Sequence, residues 1–144
     1  MYKKIVVALD ESKEARRALT RAIELAALLK AELTILTVSE PLPSYAAFID
    51  AELHGARQTL MDERNAFYGD LQKQGLALAT AAGIQAGAKV VEGDEVQSIV
   101  DHIAANGIDL LVIGRRHHAT MSRLWGGTVH NIAEKSRCSI LAVY

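Results

Sequence analysis

The chain has 144 residues, half of them hydrophobic and only 5% aromatic, with a formal net charge of −1. That length suits one domain, residues 1–144, whose core is built from Ala, Val, Ile and Leu rather than stacked rings. The near-zero charge argues against whole-molecule attraction to nucleic acid or acidic lipid, and the lone cysteine, Cys138, excludes an internal disulfide and points to a reducing, cytoplasmic setting.

In chain order, strands and helices alternate. Ile5–Leu9 is a short apolar run flanked by charge, as in a strand buried on both faces, and far too short for a signal peptide or a membrane span. Ser12 is placed to cap a helix on which Ala15, Leu19, Ala22, Ile23 and Ala26 recur at three- and four-residue steps. Leu33–Val38 reads as the second strand. Pro41 and Pro43 make Ser39 to about Asp50 an irregular connection, because each fixes φ and removes a donor.

From Glu52 to Ala82 runs one long helical pattern with Leu53, Leu60, Phe67, Leu71 and Leu78 as its spine. Gly55, Gly69 and Gly75 interrupt it, each costing up to ~1 kcal/mol relative to Ala, so a break near one of them is expected. Gly83 suits the residue just past the helix end. Ala88–Val91 is a short third strand, and Asp94 with Gln97 fits a capping box. Val96, Ile99, Val100 and Ile103 line a helix that Asn106-Gly107 ends, with His54 and His102 on helix surfaces. Asp109–Ile113 is the fourth strand, Thr128–Ser136 a short helix and Cys138–Val143 the last strand. Five strands alternating with helices imply a parallel sheet covered on both faces, with ligands beyond the carboxyl ends of the strands.

Two strand ends carry chemistry: Leu9-Asp10 and Ile113-Gly114. After Gly114 comes a basic, His-rich loop, then Gly126-Gly127-Thr128 opening a helix. A glycine ending one element and a Gly-Thr starting the next leave backbone N–H groups to hold an anion at a helix N-terminus. Read alone, Asp10 is equally a cap for its own turn, and Gly127-Thr128 an ordinary helix start.

The Lys3–Asp10 opening, the Asp109–Gly114 strand and the Cys138–Val143 ending resemble the universal stress proteins over the whole chain. Their nucleotide signature is Gly, two residues, Gly, nine residues, then Gly and Ser or Thr. Gly114 and Gly127-Thr128 fill its ends at the correct spacing, and His117 takes the place of its middle glycine. The resemblance implies an α/β fold: an open five-stranded parallel sheet of order 3-2-1-4-5 with helices on both faces, Rossmann-like and of the adenine nucleotide alpha hydrolase-like kind. It implies ATP or another adenine nucleotide, with or without Mg2+, between strands one and four in one branch of the family, and no nucleotide in another. Members of that second branch would act as dimeric scaffolds.

Carried over residue by residue, the resemblance places Leu9, Asp10 and the backbone of Val38 at the adenosine end. Ile113 and Gly114 lie beneath ribose and phosphate, Arg116 and His117 over the phosphates, and Gly127, Thr128 and Val129 donate to them. Arg115 and Arg123 add charge without a fixed direction. If the replaced glycine served a positive φ, His117 can follow at a strain of order ~1 kcal/mol. If it served close approach to phosphate, the imidazole collides with the ligand. A third course is that His117 turns outward, or holds phosphate once protonated below about pH 6.5.

Other chemistry has less support. His117, His118 and His130 lack the spacing of a zinc site. Cys138 has no C-x-x-C partner and reads as a buried small residue, and no nucleophile triad motif appears. Without a Walker lysine in the loop, the expectation is not an enzyme, beyond slow ATP hydrolysis or autophosphorylation. Cys138–Val143 contains no Pro or Lys to block edge pairing, so a homodimer through that strand is expected, together with unidentified protein partners.

Overall fold

The computed structural model describes residues 1–115 and 127–144. Five strands, β1 (Lys4–Ala8), β2 (Glu32–Ser39), β3 (Ala86–Glu92), β4 (Leu110–Gly114) and β5 (Ser139–Val143), form one sheet of order β3-β2-β1-β4-β5. All four pairings are parallel. The expected order therefore holds, and β1 and β4 are neighbours with Ile5 opposite Leu110 and Val7 opposite Val112. The strand order reverses between them, which opens a crevice at their carboxyl ends.

The five-residue run Ile5–Leu9 sorts itself between two cores. Ile5, Val7 and Leu9 face helices α1 (Lys13–Leu29) and α3 (Ala56–Ala81), packing with Leu19, Ala22, Leu71 and Ala79. Val6 faces the other way, toward α4 (Glu95–Asn106) and α5 (Thr128–Lys135), among Ile99, Ile103, Leu111 and Ile132. Alternation on a strand apolar throughout is what lets one element seed both cores. The Asp109 carboxylate accepts the N–H groups of Lys3 and Lys4 at 2.8 and 3.1 Å, which ties the start of β4 to that of β1.

Local signals for helix ends hold. Ser12 caps α1 by accepting the Ala15 N–H at 3.1 Å, and Gly107 ends α4 in the left-handed conformation at φ 62°. Asp94 accepts the Gln97 N–H at 2.9 Å, but the Gln97 side chain turns to Asp101 rather than back to the cap, so only half of the capping box forms.

Four expectations need correction. The connection after β2 contains a helix, α2 (Ala46–Glu52), because both prolines precede it and the Pro43 carbonyl accepts the Ala46 N–H. The long helix starts at Ala56 rather than at Glu52, because the break allowed for at its glycines falls at Gly55, where φ is 85°. The spine of α3 is misplaced: Leu53, Leu60, Phe67 and Leu78 are exposed, and Leu71, Gln72, Gly75 and Ala79 face the sheet. A Cβ on Gly75 would sit 3.0 Å from Leu9 and 3.2 Å from Ile35, so small residues are what let α3 cross this close. Finally, His102 is buried rather than on a surface. It lies three residues after Ile99 on the same helix face.

Candidate functional site

At the carboxyl end of β1 the backbone is held from two sides. The Leu9 N–H donates to the Leu36 carbonyl at 2.8 Å, and the Leu9 carbonyl accepts the buried Thr37 hydroxyl at 2.9 Å. Gln72 of α3 donates in turn to Thr37 Oγ1 and, at 3.3 Å, to the Lys89 carbonyl. A chain of donors thus runs from α3 through β2 to the residue before Asp10. Asp10 Oδ1 accepts the Ser12 N–H at 2.8 Å, a side-chain turn that feeds the chain into the cap of α1. Asp10 does cap its own turn, and it does so on the wall of the crevice.

Gly114 closes β4 against α1. A Cβ there would lie 2.5 Å from the Glu14 carbonyl carbon and 2.6 Å from the Ala15 nitrogen. The residue is glycine because a helix backbone passes over it, a reason that the sequence spacing does not reveal. The Arg115 N–H then donates to the Val143 carbonyl at 2.6 Å, which anchors the start of the loop on β5.

The third side of the crevice is the start of α5. The starts of three helices, α1, α4 and α5, line this crevice. Two satisfy their own first amides through side chains, Ser12 for α1 and Asp94 for α4. The third, α5, begins at Gly127 with extended backbone (φ −71°, ψ 171°) and receives no side-chain cap. Among the described residues no side chain takes its first-turn N–H groups, which suit water or an anion.

These three sides enclose a cavity of about 850 Å³ lined by Leu9, Asp10, Val38, Ile113, Gly114, Gly127, Thr128 and Val129, among others. Every candidate site residue within the described part of the chain lines it. Arg116 and His117 lie outside the described residues, as do Arg123, His118 and Gly126. Sequence reading also left wall residues unfound. Tyr68, Glu40 and Glu95 join from α3, the end of β2 and the first turn of α4, and His130 completes the α5 side. None belongs to a local pattern, and only the topology brings them together.

The family model of the universal stress protein family matches residues 1–144. The chain belongs to the universal stress protein family. Universal stress protein YxiE of Bacillus subtilis (strain 168) is 27% identical over 151 residues, covering 99% of each chain. A universal stress protein solved in complex with cAMP superposes with a TM-score of 0.78 at 28% identity, covering 99% of this chain and 97% of that one. UspA from Lactobacillus plantarum superposes at 0.82 with 23% identity, over 99% and 98% of the two chains. The fold therefore has solved counterparts, one of them in complex with cAMP.

Cys138 stands apart from this chemistry. It is half-buried and packs against the α4/α5 core, and burial pushes its thiol pKa up, so the thiolate is disfavoured.

Proposed function

We propose that this universal stress protein is a regulator that holds an adenine nucleotide, ATP in the first instance, in the cleft between β1 and β4. The observation that carries the reading is the convergence on one cavity of all eight described candidate residues with the side-chain-uncapped start of α5. The donor set suits the ligand. The first amides of α5 and the Thr128 hydroxyl would take the phosphates, while Leu36, Val38 and Ile99 offer an apolar floor to the base. A cAMP complex in a relative of the same fold supports the ligand class. Mg2+ would enter with ATP, shared between phosphate oxygens and a carboxylate of the cleft. Turnover is not part of the proposal, beyond slow hydrolysis or autophosphorylation.

The working unit is proposed to be a cytoplasmic homodimer. Both sheet edges are open among the described residues, but β3 carries Lys89, whereas Ser139–Val143 carries no charge and no proline and leaves Leu141 38% exposed. Pairing of β5 with its copy would close that edge. A Leu141→Lys variant that stays dimeric by light scattering at micromolar concentration would sink this assembly.

One observation favours a second reading, a dimeric scaffold that binds no nucleotide. Gly114 would be required by its contact with α1 even in a chain that had lost the ligand. Calorimetric titration of ATP into the wild type, Thr128→Val and His117→Gly separates the two. Micromolar binding by the wild type, weakened about tenfold in Thr128→Val, is the expected result. Binding by His117→Gly alone would establish the scaffold reading.

A further inference from the structure

His130 is the third residue of α5, and it lines the cavity. Side chains on a helix lean toward its N-terminus, so a ring at this position has the space in front of the first amides within reach. What holds the imidazole elsewhere is slight. Its Nε2 lies 3.4 Å from a Glu134 carboxylate oxygen one turn along, and the two side chains are 61% and 65% exposed. An exposed pair of this kind contributes little, and a phosphate chain with several charges competes well against one carboxylate.

The rest of the wall gives a proton on that ring its importance. Asp10, Glu11, Glu40 and Glu95 bring carboxylates to the cavity, two of them engaged: Asp10 with the Ser12 N–H and Glu95 with a partner of its own. Among the described wall residues only Arg115 and His130 carry positive charge, and the imidazole does so only when protonated. An anion that docks beside the ring favours its charged form.

We infer that His130 is a phosphate-contacting residue of the nucleotide site, and that the site takes up a proton there as the ligand docks. The inference deepens the nucleotide reading above and rests on it. The neutral ring takes one proton from solvent, turns from Glu134 and donates an N–H hydrogen bond to a phosphate oxygen. Affinity therefore rises as the pH falls, and it does so through one group.

The experiment measures ATP affinity by calorimetry at about pH 8 and about pH 6, with Mg2+ at a fixed excess, in the wild type, His130→Gln and Glu134→Gln. Titration of ATP itself is common to all three proteins and cancels between them. The gain in affinity on going to the lower pH is expected to be about fivefold greater in the wild type than in His130→Gln, with the two within about twofold of each other at the higher pH. Glu134→Gln, relieved of the competing carboxylate, should bind at the lower pH no more weakly than the wild type. Equal gains in the wild type and His130→Gln, or a loss that is the same at both pH values, would overturn the proton coupling and leave the nucleotide site standing. Weaker binding by Glu134→Gln would mark the pair as part of the site's structure and overturn the turn of His130 away from it. Absence of ATP binding by the wild type would overturn the nucleotide reading, and this inference with it.

Discussion

The two glycines at the ends of the loop look equivalent in the sequence and are opposites in the structure. Gly114 is crowded: backbone atoms of Glu14 and Ala15 lie within 2.8 Å of where its Cβ would be. Gly127 has no described atom within 4 Å of that position, and its φ of −71° is one that any residue adopts. Packing explains the first and not the second. A glycine that no described neighbour requires, at the start of a helix lacking a side-chain cap, is a better pointer to a ligand than one that the fold requires. Residues around the cleft can therefore be sorted by whether the loss on substitution falls on stability or on binding.

The largest effect is expected at Gly114. The obstructing atoms are backbone and cannot rotate aside, so Gly114→Ala should cost about 2–4 kcal/mol. At roughly 3 °C per kcal/mol for a chain of this size, that is a fall in Tm of about 6–12 °C, measurable by calorimetry. A wild-type Tm would mean that α1 yields easily and that Gly114, too, belongs to the ligand. Thr37→Val tests the intermediate case. It keeps the shape but removes the donor to the Leu9 carbonyl and the acceptor of Gln72, at a cost of about 1–2 kcal/mol. Because Leu9 precedes Asp10 on the cleft wall, nucleotide affinity should fall in the same variant, whereas a variant with lower Tm and intact affinity would detach this network from the site.

Those networks mark the boundary of what could be read without coordinates. Strands, caps and the crevice were legible because their causes are local: an unbroken apolar run at Ile5–Leu9, Ser12 before a stripe, Gly107 after one. The spine of α3 was not, because its sheet-facing positions are Gly75, Ala79 and Gln72, chosen for close approach, while Leu60 and Phe67 point to solvent. Helix α2 was hidden by two prolines that precede it rather than interrupt it. In the site, spacing identified Gly114 and Gly127-Thr128 as a pair, but Glu40, Tyr68, Glu95 and His130 are joined only by strand order. The burial of His102 had a signal, its three-residue step from Ile99, outweighed by the usual preference of histidine for surfaces.

Gly127→Ala should show the reverse of Gly114→Ala. Alanine accepts the backbone conformation and is only a poorer first residue for α5, so stability should drop by less than about 1 kcal/mol. If the phosphate sits on the first amides of α5 as proposed, the added methyl group crowds its approach and ATP affinity should fall at least tenfold, about 1.4 kcal/mol. A variant that binds as the wild type does would remove the reason for assigning Gly127 to the ligand.

The smallest effect at neutral pH, and the one that isolates the fold from the cleft, belongs to His102. Its Nε2 is buried with no hydrogen-bond partner among the described residues, while its Nδ1 lies 3.3 Å from the Asn106 amide. Burial, and after it the Lys89 ammonium, lowers the imidazole pKa from its ordinary value of 6.5. Above that value both folded and unfolded chains hold the ring neutral, and stability does not depend on it. As the pH falls below about 6.5, the unfolded chain takes up the proton first, so stability declines on acidification until the lowered folded pKa is passed. Urea midpoints between pH 7.5 and 5 should show that decline, and His102→Gln should flatten it. His102 is not on the cavity wall, so its share of the decline should leave nucleotide affinity at fixed pH untouched. An equal change of affinity in wild type and variant would assign any pH dependence of binding to groups at the mouth and confine His102 to the core.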